Sequence, residues 1–222
     1  MAAPVPGRRL LRCGAAAGPF FIVSSLAQAA LRSGFDLSQH PPSALALGGA
    51  GWIQSATFVV AGLGFFIGSR GLARALAPAG VRWAPRCIAV FGIALGTGGI
   101  FIMDPAFGFP PGTADGVGDT VTWHAALHGV LFPVGFAAIL VSCFVMARHY
   151  ARAGRRDARW ASIAAGPVTL ILASWPNVGG SPDGRFLPMW LGVAVAFGWT
   201  SAVLADAARA HVTTTTGRTA AV

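Results

Sequence analysis

The sequence predicts an all-α integral membrane protein, a six-helix transmembrane bundle with both termini in the cytoplasm. Three observations carry this expectation. The 222 residues are 55% hydrophobic and only 10% charged, against about 25% charged in soluble domains. Six stretches are apolar enough to cross a bilayer, which takes about 20 residues of helix. The sixteen Lys/Arg positions are all arginine, and they crowd onto alternate connections, as the positive-inside rule requires.

In chain order the spans are read as Cys13–Leu31, Leu45–Gly68, Ala84–Met103, His124–Ala147, Trp160–Trp175 and Phe186–Ala205. The fifth is the shortest and runs into "SWPN". "GFFIG" (Gly64–Gly68) and "GIALG" (Gly92–Gly96) have the G-x-x-x-G spacing that lets helices approach closely in lipid. Fourteen arginines lie in the N-terminus, in 69–83 with Arg86 just beyond, in 148–159 and in the tail. Only Arg32 and Arg185 lie on the other connections. Both termini are therefore expected in the cytoplasm of a multi-pass plasma-membrane protein. Residues 1–12 become a cytoplasmic segment, 13–205 the membrane domain, and 206–222, with "TTTTGRTAAV", a cytoplasmic disordered tail. The first span also has the basic start, apolar middle and "AQA" end of a secretory signal; its retention keeps the charge alternation intact.

The formal charge of +9 is divided among short connections and forms no basic face for nucleic acid. The expected partner is the bilayer. Cys13, Cys87 and Cys143 fall near inner span ends, with no C-x-x-C pattern, and read as small buried hydrophobes.

The acidic residues are seven Asp and no Glu, and five of them fall on the outer side with His40, His124 and His128. His124 and His128 open the fourth span at i and i+4, about 6 Å apart at Cβ. That is the H-x-x-x-H spacing with which two imidazoles share a metal. At a helix N-terminus the macrodipole favours their neutral forms. Asp104, read as the end of the third span before Pro105, faces the negative end of a helix and should seek a cation, a metal or a proton. Asp36 and His40 are again four apart, followed by Pro41, Pro42 and Ser43. Gln28 and Gln54 lie at membrane depth, where amides need partners: they either pair across helices or line a cavity from the outer surface. Trp52 suits the interfacial belt. The last outer loop supplies Asn177, Asp183 and Arg185.

"GFDLSQHPPSALALGGAGWIQSATF", "DPAFGFPPG" and "WHAALH", in that order, resemble the bacterial and archaeal membrane family catalogued as domain of unknown function 998. The likeness covers roughly residues 10 to 205. It implies six spans and points to Asp36, His40, Ser43, Trp52, Gln54, Asp104, Pro105, His124 and His128, and it carries no activity with it.

From the residues, one expectation is a membrane-embedded enzyme opening outward, with Asp36, His40, Asp104, His124 and His128 as its chemistry. In its metal version His124, His128 and His40, with an Asp, hold Zn²⁺ and leave one position for water. In its metal-free version Asp104 donates a proton and a neutral His accepts one. The substrate is lipidic or isoprenoid-like, met by Ser43, Trp52, Gln54, Gln28 and Arg185, and hydrolysed, isomerised or cyclised. The competing expectation is an accessory, structural or sensory membrane protein whose His–Asp groups tie outer loops together. A transporter ranks lower, because the middle of every span lacks ionisable residues.

Overall fold

The computed structural model describes residues 6–178 and 185–219, with side chains for 7–175 and 185–210. These residues form six α-helices: α1 (Pro6–Leu31), α2 (Gly51–Leu76), α3 (Trp83–Gly98), α4 (Trp123–Arg152), α5 (Arg156–Val178) and α6 (Leu187–Thr219). Short 3₁₀ turns occupy Pro42–Ala46 and Ala77–Ala79. No strand occurs among the described residues. Four segments are long and apolar enough to cross a membrane: Gly7–Leu31, Gly51–Ala79, Trp123–Arg152 and Leu187–Ala210. By length and composition this is a membrane protein.

Successive helices pack on one another, and α6 closes back on α1. The packing is antiparallel at each step. Gly14 near the start of α1 meets Gly68 near the end of α2. Ser142 late in α4 donates to the Ala84 carbonyl at the start of α3. Trp199 in α6 donates its indole N–H to Ser162 near the start of α5. The interior is filled by rings: Phe65, Phe91 and Phe197 lie mutually edge-on or tilted, and Phe21 lies tilted on Phe197, at centroid distances of 4.5–5.5 Å.

The glycine spacings act where they were expected. A Cβ on Gly64 would stand 2.9 Å from that of Ala17, and one on Gly68 would stand 2.8 Å from the Gly14 Cα. A Cβ on Gly92 would meet the Gly62 carbonyl at 2.7 Å. Without side chains at these points the backbones touch, which is the contact that stabilises helices in lipid.

Several boundaries differ from the sequence reading. The second span, read as Leu45–Gly68, is α2 over Gly51–Leu76, because Pro41 and Pro42 open a 3₁₀ turn over Pro42–Ala46 in front of it. α1 begins at Pro6, so most of the segment read as 1–12 is helical. α6 continues to Thr219, beyond the Ala205 end expected for it. α3 stops at Gly98 and not at Met103, because Gly98 and Gly99 end the helical pattern and the carbonyls there turn to another partner. Of the cysteines, Cys143 is buried, Cys87 is half-buried and Cys13 is exposed, so only Cys143 is the fully buried hydrophobe expected.

Candidate functional site

The end of the bundle that carries the α1–α2 and α3–α4 connections, the one expected to face outward, is organised around His40, which is 3% exposed. Pro41 and Pro42 prevent the chain from continuing as α-helix and begin the 3₁₀ turn. The turn before them folds the Asp36 N–H onto His40 Nδ1 at 2.8 Å. Nδ1 is thereby the acceptor of the ring, so Nε2 carries the proton and donates to the Phe107 carbonyl at 2.8 Å. The His40 carbonyl accepts the Trp190 indole N–H at 2.9 Å, and the Phe186 N–H donates to Ser38 O at 2.8 Å. One side chain thus joins the first outer loop to the second, while its backbone holds the start of α6. Phe35 and Phe109 pack against the ring at 5.1 and 5.3 Å.

The second outer loop is a compact fold of its own. The Phe107 N–H donates to Gly116 O at 2.7 Å, and the Gly108 N–H donates to Ala114 O at 3.1 Å. The Phe109–Pro110 bond is cis. Phe107 has a φ of 57°, a left-handed conformation that a bulky residue adopts only when its surroundings hold it. Here the holding groups are the two hydrogen bonds at its own N–H and C=O.

Asp104 lies six residues past the end of α3 and not at it. Its Oδ2 accepts the Thr122 N–H at 2.8 Å and its Oδ1 accepts the Thr122 hydroxyl at 2.7 Å. Thr122 is the N-cap of α4 and accepts the Ala125 N–H. The carboxylate therefore stands at the positive end of a helix, where its charge is favoured. The Thr122 hydroxyl, then the Thr122 N–H, hold its pKa below the usual aspartate value. This corrects the expectation of a carboxylate at a negative helix end. Asp36 is treated alike: the hydroxyl and N–H of Ser38 bind it at 2.6 and 2.7 Å and lower its pKa.

The three histidines do not share a centre. His124 is exposed and stacks on Trp123 at 3.7 Å. His128 reaches the other way and donates from Nδ1 to the carbonyls of Phe101 and Gly98, at 2.8 and 3.1 Å. Both nitrogens of His40 are occupied. Among the described residues no three His, Cys, Asp or Glu side chains are placed to hold a metal. The i, i+4 spacing puts two Cβ atoms on one face, but the carbonyls freed at the end of α3 and the Trp123 ring pull the imidazoles apart.

Gln28 and Gln54 pair, the first of their two alternatives. Gln28 Nε2 donates to Gln54 Oε1 at 2.7 Å, and Ser25 exchanges bonds with Gln54 at 3.0 and 3.2 Å. Arg32 donates to the carbonyls of Leu45 and Leu47 and lies over the Phe109 ring, so it is not a partner of Asp104. Trp52 is 70% exposed, and Arg185 is exposed. Asp183 and the Asn177 side chain lie outside the described residues.

Beneath the outer loops is a cavity of about 700 Å³. Phenylalanines dominate its wall, among them Phe21, Phe91, Phe132, Phe136 and Phe197, while Met103 and Phe107 come from the second outer loop. Of the expected site residues, His128 and Ser43 line it. Trp52, Gln28, Gln54, Arg185, Asp36, His40, Asp104 and His124 do not. Ser43 donates only to the Met103 sulfur, at 3.3 Å. His128 Nε2 has no hydrogen-bond partner among the described residues and is not a sealed atom. Sequence reading missed this cavity. The only sequence trace was Phe132 and Phe136 at i, i+4 beside the small residues Gly129 and Gly135.

It also missed a group at the opposite end. Arg155 makes a two-pronged contact with Asp206, which accepts from Tyr150 as well. These residues line a second cavity of about 390 Å³ with Arg74 and His149. The Asp206 hydrogen bonds raise the Arg155 pKa. Tyr150 and Asp206 are 56 positions apart in the chain, and no local spacing links them.

No curated protein and no solved structure matches the chain. A family model does, over residues 15–206, and its span includes the outer-loop motifs, the cavity and His128. The chain therefore belongs to the family described as protein of unknown function DUF998.

Proposed function

We propose that this is a six-span plasma-membrane protein, with both termini cytoplasmic, whose outer half holds a lipidic or isoprenoid-like molecule as a sensory or accessory component. The observation that carries the reading is the 700 Å³ cavity. Its volume lies within the range of ligand sites, about 300–1,000 Å³. It combines an apolar wall with a single accessible imidazole nitrogen. Val117 and Gly129 line it and are exposed. Gly129 belongs to α4, so the cavity borders the face that α4 turns to lipid.

The topology rests on the arginine asymmetry and on the antiparallel order of the helices. α3 has 16 residues, about 24 Å at 1.5 Å per residue. It lies between two longer spans, and the segment to Met103 completes the crossing. The remaining outer polar groups support the accessory reading: His40, Asp36 and Asp104 are all engaged in holding loops and a helix cap. One observation favours turnover as a second reading. A neutral His128 with a free Nε2 is what a metal-free isomerisation or cyclisation needs as its base.

The test is mass spectrometry of lipids carried through purification. Wild type is expected to retain an apolar molecule that a Gly129→Trp variant, with its cavity filled, does not. Identical lipid content in the two would refute the reading. Conversion of the retained molecule on incubation would select the enzymatic version.

A further inference from the structure

The cavity also constrains the polar end of what it holds, an inference that rests on the binding reading above. None of the described residues that line it is an Asp, Glu, Lys or Arg. The chain has sixteen arginines, and the cavity uses none of them. Its polar side chains are His128 and Ser43. Carbonyl oxygens cannot donate, so the two bonds from Nδ1 to Gly98 O and Phe101 O fix the ring proton on Nδ1. In the neutral ring Nε2 is then a lone-pair acceptor. Ser43 has two lone pairs of its own and gives its proton only to a thioether, a weak acceptor.

A tail that moves from bilayer to this cavity exchanges one apolar environment for another, so little hydrophobic free energy separates one tail from the next. Discrimination then falls on the head. A phosphate or carboxylate would place its charge against a lone pair, in an apolar site with no cation, at a high desolvation cost. A group with an O–H to give would meet Nε2 directly. We infer that the cavity selects an uncharged, hydroxyl-bearing lipid, such as a long-chain or isoprenoid alcohol, with its O–H donated to His128 Nε2.

The experiment uses the full chain in nanodiscs with three probes on one tail: farnesol, its methyl ether and its phosphate monoester. Binding is measured for wild type, His128→Asn and Gly129→Trp. The asparagine amide can keep the Nδ1-type bond to the α3 carbonyls while removing the Nε2 acceptor, so the helix end stays held. The expected result is that wild type binds the alcohol about tenfold more tightly than the ether, the size of one buried hydrogen bond, and binds the phosphate weakest. His128→Asn should bind alcohol and ether alike. Equal binding of alcohol and ether by wild type, or a preference that survives in His128→Asn, overturns the inference. If both chains still bind and Gly129→Trp abolishes them, the cavity reading stands without it. If no probe distinguishes wild type from Gly129→Trp, both fall.

Discussion

His40 and His128 show how one residue type serves two purposes at one end of the bundle. His40 has both nitrogens satisfied and is buried, which is how a structural histidine behaves. Replacing it by Ala leaves the Phe107 carbonyl without its donor and opens space beside Phe35 and Phe109. The expected cost is about 2–3 kcal/mol, read as a lower unfolding temperature in detergent. Thr122→Ala should cost about 1 kcal/mol, the usual loss for an N-cap. The Asp104 bonds give that cap a pH dependence of definite sign. Its folded-state pKa lies below the unfolded value, so its contribution is present above the ordinary aspartate range and is lost as pH falls through the depressed value. Wild type should lose thermal stability on acidification below about pH 4, and Asp104→Asn should flatten that limb; an unchanged acid limb would refute the assignment. These roles were only partly legible in the sequence. Spacing placed the Cβ atoms of His124 and His128 on one face. It could not say that one ring would stack outward on Trp123 and the other turn to the freed carbonyls of α3, because ring direction is set by groups distant in sequence.

At the scale of elements, glycine decides which helix faces can touch. A Cβ on Gly62 would fall 2.5 Å from both the Gly92 carbonyl and the Gly96 nitrogen. Backbone cannot yield as a flexible side chain does, so Gly62→Ala should destabilise by about 1–3 kcal/mol. Gly129 has nothing within 4 Å of its ideal Cβ, so Gly129→Ala should leave stability unchanged or improved, alanine being the better helix former. Denaturation of both variants in one detergent checks the pair, and equal effects would contradict the packing. The Gly92–Gly96 spacing was visible in the sequence, whereas its partner Gly62 belongs to no such motif and was found only by packing. The number and order of the helices were legible, but their ends were not: α2 runs from Gly51 to Leu76 where Leu45–Gly68 was expected, and α6 runs to Thr219. The end of α3 was hidden because residues 99–103 remain apolar after the helix has stopped.

At the scale of the molecule, arginine placement and helix order make one prediction about sidedness. In a background with the three native cysteines replaced, Asp119→Cys should react with a membrane-impermeant maleimide on intact cells, and Arg156→Cys should react only after lysis. The reverse pattern would invert the proposed orientation. The helical and apolar character of the fold was legible, since composition depends on no particular contact. The cavity was not, because its wall draws on five helices and three connecting segments, and no stretch of chain contains more than a part of it.

The bond from His40 to Phe107 has one further consequence. A cover fastened at its centre to two neighbouring segments does not lift one flap at a time while that bond holds. For a lipidic occupant, as proposed, the approach would be sideways, past the exposed Gly129 on α4. Occupancy would then follow the mole fraction of a molecule within its own leaflet, and not its concentration in the surrounding water. A sparingly soluble compound could saturate the protein at a level that no assay of the medium would detect.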